Sequence, residues 1–465
     1  MALLFEQMLT EDLGDASYLV GDDSAHVAAV VDPMADVDRY LDAARRRKVV
    51  ITHVFQTHIH EDHVSGAYAL AQEAGNAELC LGADDAPAYG FAHRAVRDSD
   101  TFCFGDVTLT ARHTPGHTPE HFSLLVAKSS SSDQPFAVLS GGSLLVDAAG
   151  RTDLLGPERA DELTRAQYRT LHDFFLALPD GVIVWPTHVH GSPCGAAIGD
   201  RLQTTVGHER HHNPLLQLKD EQAFHAHLLG ALPPKPSYYA RLKEINSSMP
   251  RADARLPRAP ALTPDSFEKA ARSQGTTVVD TRHLLAFGGG HIPGALNLGA
   301  AGPLSIWAGW MLDPERSILL VLDRDSTLPD VLRQFVRTGF DRFAGYLAGG
   351  MTAWENSGKP LQTLPQLAVD DLAQQSAQYR VIDVRAPGEW RKGHIPGAEH
   401  SFLPQLPERL RNWDPGAPVA VYCDSGYRAS IGASLLQRAG FEQVRNVPGS
   451  WQAWTARHLP VDGDS

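Results

Sequence analysis

The sequence predicts an α/β protein in which a strand-rich N-terminal part is followed by two copies of a smaller unit built on a parallel sheet. Three observations lead there. Short β-branched runs separated by turn residues fill the first 245 residues. Gly290-His-Ile-Pro-Gly-Ala295 is repeated as Gly393-His-Ile-Pro-Gly-Ala398, and Asp280-Thr-Arg282 as Asp383-Val-Arg385 at the same offset. Residues 249–260 hold three prolines in twelve positions and read as an extended linker.

In the N-terminal part the runs 48–56, 107–112, 122–127, 136–139 and 182–185 have the compact apolar character of strands, and 64–74 has helical spacing. The polar tract 129–133 is suited to joining two strands as a hairpin. In the last repeat, 379–384 and 418–423 read as strands and 428–439 as a helix, an alternation that calls for parallel strands covered by helices. The expected division is 1–248, a linker at 249–264, a first repeat at 265–362 and a second at 363–465.

Composition narrows the partners. Forty-one Lys and Arg against 55 Asp and Glu give a net charge of −14, which repels phosphate backbones and anionic lipid, so neither nucleic acid nor membrane is expected. No apolar run approaches the roughly 18–20 residues that cross a bilayer, and no basic segment precedes the first apolar residues, so a cytoplasmic location is expected. Cys80, Cys103, Cys194 and Cys423 form no CxxC pair and are expected as free thiols in a reducing compartment. Histidine is abundant, at 22 residues, and clustered.

That clustering points to metal. Thr57-His-Ile-His-Glu-Asp-His63 places four candidate ligands, His58, His60, Asp62 and His63, directly after a strand. His117 follows a Pro-Gly turn in a second loop, and His188 follows the strand at 182–185. This ordering resembles the metallo-β-lactamase fold, in its glyoxalase II and persulfide dioxygenase branch, over about residues 1–245. The resemblance implies an αββα sandwich, a metal at His58, His60 and His117, with Asp62, His63 and His188 supporting it or holding a second ion. It also implies a thiol-substrate contact at Arg151, in Gly150-Arg-Thr-Asp-Leu154. Mononuclear iron (Fe2+) is the metal it favours, with zinc as the alternative. One position departs from the pattern: where the family carries a ligating aspartate, this chain has Gly142. A third ligand would then be His60, water, or a displaced carboxylate such as Asp147 or Asp153, and a weakened or metal-free site stays open. Gly142→Asp is expected to raise iron occupancy if the pocket is otherwise intact.

The second motif is a cysteine loop, Cys423-Asp-Ser-Gly-Tyr-Arg428, between a strand and a helix. A thiol there meets backbone N–H donors and the positive end of a helix dipole, which favour a thiolate or a persulfide. Asp424, Ser425, Gly426 and Tyr427 form the loop, with Gly426 permitting a tight path. With Asp383, Arg385 and the His-Ile-Pro-Gly segment, this pattern resembles the rhodanese sulfurtransferases over about residues 365–465. The resemblance implies that Cys423 carries a sulfane sulfur and that Arg428 anchors the loop or the donor's charge, while Asp383 and Arg385 fix the scaffold. Asp424 should disfavour dianionic thiosulfate relative to a thiol persulfide. The first repeat, with Asp323-Arg-Asp-Ser-Thr-Leu328 in the corresponding turn, has no cysteine and cannot carry sulfur. Cys80, Cys103 and Cys194 read as packed side chains, although Cys194 lies near enough to His188 in sequence to reach the metal pocket.

The expected function is sulfane-sulfur (hydrogen sulfide and persulfide) metabolism: a persulfide dioxygenase-like domain joined to a sulfurtransferase. Expected partners are small thiol persulfides, sulfite, thiosulfate and glutathione-like thiols, with homo-oligomerisation open. The alternatives are a glyoxalase II-type thioester metallohydrolase and a non-enzymatic persulfide carrier or sensor.

Overall fold

The computed structural model describes residues 3–463. They divide into two compact units, one running to Arg255 and one from Leu256, with Val336–Gly339 grouped with the first.

In the first unit, β1 (Leu3–Thr10), β2 (Asp15–Asp22), β3 (Val27–Val31), β4 (Val50–Gln56), β5 (Glu78–Gly82) and β6 (Arg94–Val96) form one sheet in chain order. The first three pair antiparallel and β3 to β6 parallel, the crossovers to β4 and β5 being the helices Asp38–Arg47 and Ala67–Glu73. The second sheet is assembled from β7 (Thr101–Phe104), β8 (Val107–His113), β9 (Phe122–Lys128) and β10 (Ala137–Gly141). A short hairpin of β11 (Leu144–Leu145) and β12 (Ala148–Ala149) follows, and then β13 (Ile183–Pro186) and β14 (Thr204–Thr205) complete the sheet in the order β14-β13-β10-β9-β8-β7. The Ser-rich tract expected to join a hairpin does so, between antiparallel β9 and β10.

Strand alternation builds the layers. Tyr18, Val20, Phe55, Leu124 and Val126 meet in the core between the sheets, while Leu19, Val30 and Val54 turn the other way, onto Tyr40 and Leu70 of the helices. Val138 and Val184 do the same on the second sheet, against Leu171, Phe175 and Phe224. Each such side chain, fully buried, contributes about 1.5–3 kcal/mol. The result is the αββα sandwich, whose strand ends and connecting loops bring the histidines together.

In the second unit, β15 (Ala261–Leu262), β16 (Thr276–Asp280), β17 (Leu296–Asn297), β18 (Ser317–Val321) and β19 (Phe343–Leu347) make a parallel sheet in the order β15-β19-β18-β16-β17. The second repeat gives β20 (Arg380–Asp383), β21 (Glu399–His400), β22 (Val419–Tyr422) and β23 (Val444–Asn446), parallel, in the order β21-β20-β22-β23. Both repeats contribute to one apolar core, which includes Leu320 and Phe335 from the first and Val421 and Leu436 from the second. Among the described residues no helix is long and apolar enough to cross a membrane.

Candidate metal centre and cysteine loop

Asp32, at the turn after β3, organises the histidine loops. Its Oδ1 accepts from Thr57 N at 2.7 Å, and its Oδ2 accepts from the hydroxyls of Thr57 and Thr187, so one carboxylate ties the loop after β4 to the loop after β13. Because Thr57 Oγ1 donates to Asp32, it accepts from His58 Nδ1 at 2.9 Å, which leaves the lone pair on His58 Nε2. His117 Nδ1 donates to Arg151 O at 2.7 Å and His188 Nδ1 faces Asp15 Oδ1 at 2.7 Å, so each of these rings also keeps Nε2 for another partner. His58 Nε2 and His188 Nε2 stand 3.4 Å apart. Burial, reinforced by neighbouring histidines, holds His58 and His117 well below the usual imidazole range, so both are neutral and competent as ligands.

Donor atoms lie within 4.8 Å of one another in His58, His117 and His188, in Asp32, His58 and His60, and in His60, Asp62 and His63, all of them buried. His60 Nδ1 and His63 Nε2 have no hydrogen-bond partner, while Asp62 Oδ2 lies 3.3 Å from His188 Nδ1. An unsatisfied buried polar atom costs about 1–3 kcal/mol, and two in one pocket are what a divalent cation would relieve. The residues present therefore fit a metal.

Three findings modify the expectations. Position 142 offers no room for a side chain as the loops stand: a Cβ on Gly142 would lie 2.3 Å from His117 Cδ2, so the volume beside that backbone is filled by the His117 ring. Gly142→Asp would have to displace a candidate ligand, and the expected gain in iron occupancy is withdrawn. Gly142 N donates to His121 Nε2 at 2.9 Å, and Gly141, at φ +56°, would meet the same nitrogen with a Cβ at 2.4 Å, so His121 shapes this turn. Arg151, expected at a thiol carrier's carboxylates, is buried, and its guanidinium is spent on Asp153 and on the carbonyls of Pro193 and Pro233. It fixes loops. A cleft of about 430 Å³ is lined by Glu61, Leu154, Lys235, Tyr239 and Lys243, with Lys243 Nζ 3.1 Å from Glu61 Oε1. Finally, Asp147, weighed as a displaced ligand, pairs with His208 at 2.8 Å away from this centre, and Asp153 is held by Arg151. Asp15, Asp32 and His121 escaped the sequence reading.

The cysteine loop is built by β22 and the helix Tyr427–Arg438. Gly426, at φ +108°, turns the chain into the helix, and a Cβ there would lie 3.3 Å from Pro448 Cα. Its N–H donates to Cys423 Sγ at 3.1 Å. The loop is gripped from below: Cys423 N donates to Ser450 Oγ, and the amides of Gly449, Trp451 and Gln452 donate to the carbonyls of Ser425, Cys423 and Asp424. Asp424 Oδ2 accepts from Gln452 Nε2 at 2.6 Å. Arg428 forms a two-pronged bond to Glu389, at 2.6 and 2.7 Å, tying the loop to the helix Pro387–Lys392. Of the two roles expected for Arg428, this geometry is that of the loop anchor. Cys423 is only 1% exposed, on the floor of the loop, beneath exposed Ser425 and half-buried Asp424, Tyr427 and Arg428.

The first repeat reaches this loop. Tyr427 Oη donates to Gly299 O at 3.0 Å, its ring fills the space a side chain at Gly302 would need, and Ser430 Oγ donates to Asn297 Oδ1 at 2.6 Å. In that repeat Val321 pairs with Asp280 as Tyr422 pairs with Asp383, so Leu322, rather than Asp323, takes the place of Cys423.

Comparison with known proteins agrees with both halves. Residues 12–129 match the metallo-beta-lactamase superfamily, and residues 263–357 and 366–457 each match the rhodanese-like domain. A hydroxyacylglutathione hydrolase from a Polaromonas species is 30% identical over 251 residues, covering 51% of this chain and 89% of its own length. The mitochondrial persulfide dioxygenase of Homo sapiens is 26% identical over 222 residues, covering 47% of this chain and 78% of its own. A metallo-beta-lactamase structure from Staphylococcus aureus aligns at a TM-score of 0.67 with 27% identity, covering 75% of this chain and 99% of that one. These relatives bear on sulfur metabolism or thioester hydrolysis, and their superfamily implies a metal. The chain belongs to the metallo-beta-lactamase superfamily, as a fusion of that domain with two rhodanese-like domains.

Proposed function

We propose that the protein acts on sulfane sulfur, with Cys423 as the acceptor of a sulfur atom from a low-molecular-weight thiol persulfide. The observation that carries this is the Gly426 N–H aimed at Cys423 Sγ at the head of a helix. An amide and a helix N-terminus stabilise negative charge on sulfur whether it is a thiolate or the outer atom of a persulfide. The Cys423 thiolate attacks the outer sulfur of the donor, forming an S–S bond and releasing the carrier as its thiolate. Sulfite then attacks the outer sulfur of the Cys423 persulfide, giving thiosulfate and restoring the Cys423 thiolate. Asp424 in the rim disfavours dianionic thiosulfate as a donor.

The N-terminal domain is read as the partner activity, oxidation of the same persulfide with O2 and water to sulfite and free thiol. Iron held by His58, His60 and His117 would supply oxygen activation, with Asp62, His63 and His188 in support. Asp15 and Asp32 fix the imidazoles, and the Lys235 and Lys243 cleft is the place for an anionic thiol carrier. Tethering on one chain raises the local concentration of the shared intermediate. The working division is 1–248, 249–264, 265–362 and 363–465.

Full-length protein given glutathione persulfide and sulfite should form thiosulfate in a Cys423-dependent way, and should consume O2 in a way that His58→Ala and His117→Ala abolish. Thiosulfate formation unchanged in Cys423→Ser would refute the transfer reading. A second reading, thioester hydrolysis, is favoured by the adjacency of two buried donor clusters, one around His117 and one around His63. It requires two metal ions per chain and turnover of an acylglutathione.

A further inference from the structure

The N-terminal centre lacks the carboxylate that the family carries at position 142, and no side chain fits there. A thiol stands in the same pocket. The donor atoms of Asp62, His188 and Cys194, all buried, lie within 4.8 Å of one another. Cys194 is 1% exposed, and its backbone is fixed on both sides: Cys194 O accepts from Arg151 N at 2.8 Å, and Cys194 N donates to Ser192 Oγ at 3.3 Å. Its sulfur has Tyr239 Oη as a neighbour at 3.5 Å. Asp62 Oδ2, equally buried, lies 3.3 Å from His188 Nδ1, which Asp15 Oδ1 also holds at 2.7 Å. A carboxylate, an imidazole and a thiol thus converge in one buried pocket.

We infer that Cys194 is the anionic ligand that replaces the missing carboxylate, giving the chain a metal subsite of Asp62, His188 and Cys194. Binding breaks the Cys194 S–H bond, forms a metal–sulfur bond and releases one proton to solvent, with no change in oxidation state. A thiolate, an imidazole and a carboxylate form a donor set suited to zinc and other thiophilic divalent ions rather than to magnesium or calcium. Arg151 acquires a role in this arrangement: its own N–H and its guanidinium bond to Pro193 O pin the segment that presents the sulfur. The inference rests on the N-terminal centre holding a metal and is independent of sulfur transfer at Cys423.

Cobalt(II) is the probe that distinguishes the two. Titrated into metal-stripped full-length protein, it should give a thiolate-to-cobalt charge-transfer band in the near ultraviolet, unchanged in Cys423→Ser and absent in Cys194→Ser. The Cys194→Ser affinity should fall by at least the roughly 10–100-fold that loss of an outer-shell partner costs. Cys194→Asp, which returns a carboxylate, should bind cobalt without the band and guards against a serine variant that does not fold. Cobalt binding to the wild-type protein without the band, or a band that survives both Cys194 substitutions, overturns the inference while leaving the metal centre intact. No cobalt binding at all overturns both.

Discussion

In the first repeat of the C-terminal unit, Arg282 grips Asp280 and reaches Gly290 O at 2.8 Å; in the second, Arg385 grips Asp383 and reaches Gly393 O at 2.7 Å. Trp354 bonds Pro360 O, and Trp454 bonds Pro460 O. The frames agree bond for bond. The turns after their central strands do not: one repeat has buried Leu322, and the other has Cys423 with a glycine amide on its sulfur. Frame and chemistry are thus separable. The repeated motifs report how the sheet is held, while the capacity to carry sulfur lies in a handful of residues that the frame merely positions.

The comparison breaks most sharply at the sulfur. Cys423→Ser should lower sulfur transfer by roughly 10³-fold or more, the scale of losing a nucleophile, with unfolding unchanged. Next come the frame pairs. Arg385→Ala and Arg282→Ala each leave a buried aspartate without its partner and should each cost about 3–5 kcal/mol in denaturant unfolding, and equal costs would show that the two frames are equivalent. Gly426→Ala must place a Cβ on a left-handed turn, at about 1–2 kcal/mol, and should slow transfer while the equilibrium fold persists. Asn297→Ala lies in the repeat without cysteine but removes the partner of Ser430. About 1 kcal/mol of lost stability, read with a several-fold slower transfer, would show that the silent repeat supports the active loop.

The smallest effect concerns pH. Burial opposes ionisation of Glu389, but the bonds and charge of Arg428 outweigh it and hold the carboxyl below its ordinary value of 4.5. A depressed carboxylate adds stability that is complete above the unfolded value and is lost as the pH falls through the folded one. Acid unfolding should therefore be shallower in Glu389→Gln than in the wild type below pH 4.5, and curves of equal slope would show that the anchor contributes nothing.

What the sequence disclosed follows the same division. Strands such as β4 and β22 were legible because their apolar runs end in turn residues, and the duplication because the His-Ile-Pro-Gly segment is copied. The histidines were legible because four candidate ligands fall within six residues. Asp15 and Asp32 were not: each is a single acid at a strand end, far along the chain from the rings it holds, and only the sheet brings them together. Arg151 was misread because a loop arginine looks available until its carbonyl partners, Pro193 and Pro233, are folded beside it. The Leu322 equivalence needed the strand register, which loop length obscures.

The central claim is that Cys423, on the floor of its loop, takes and holds a sulfur atom. Intact-protein mass measurement after brief exposure to glutathione persulfide tests it directly. The expected result is a gain of one sulfur, mapped to Cys423, removed by sulfite with release of thiosulfate and absent in Cys423→Ser. An unmodified Cys423, or a sulfur gain that persists in the Cys423→Ser chain, would contradict it.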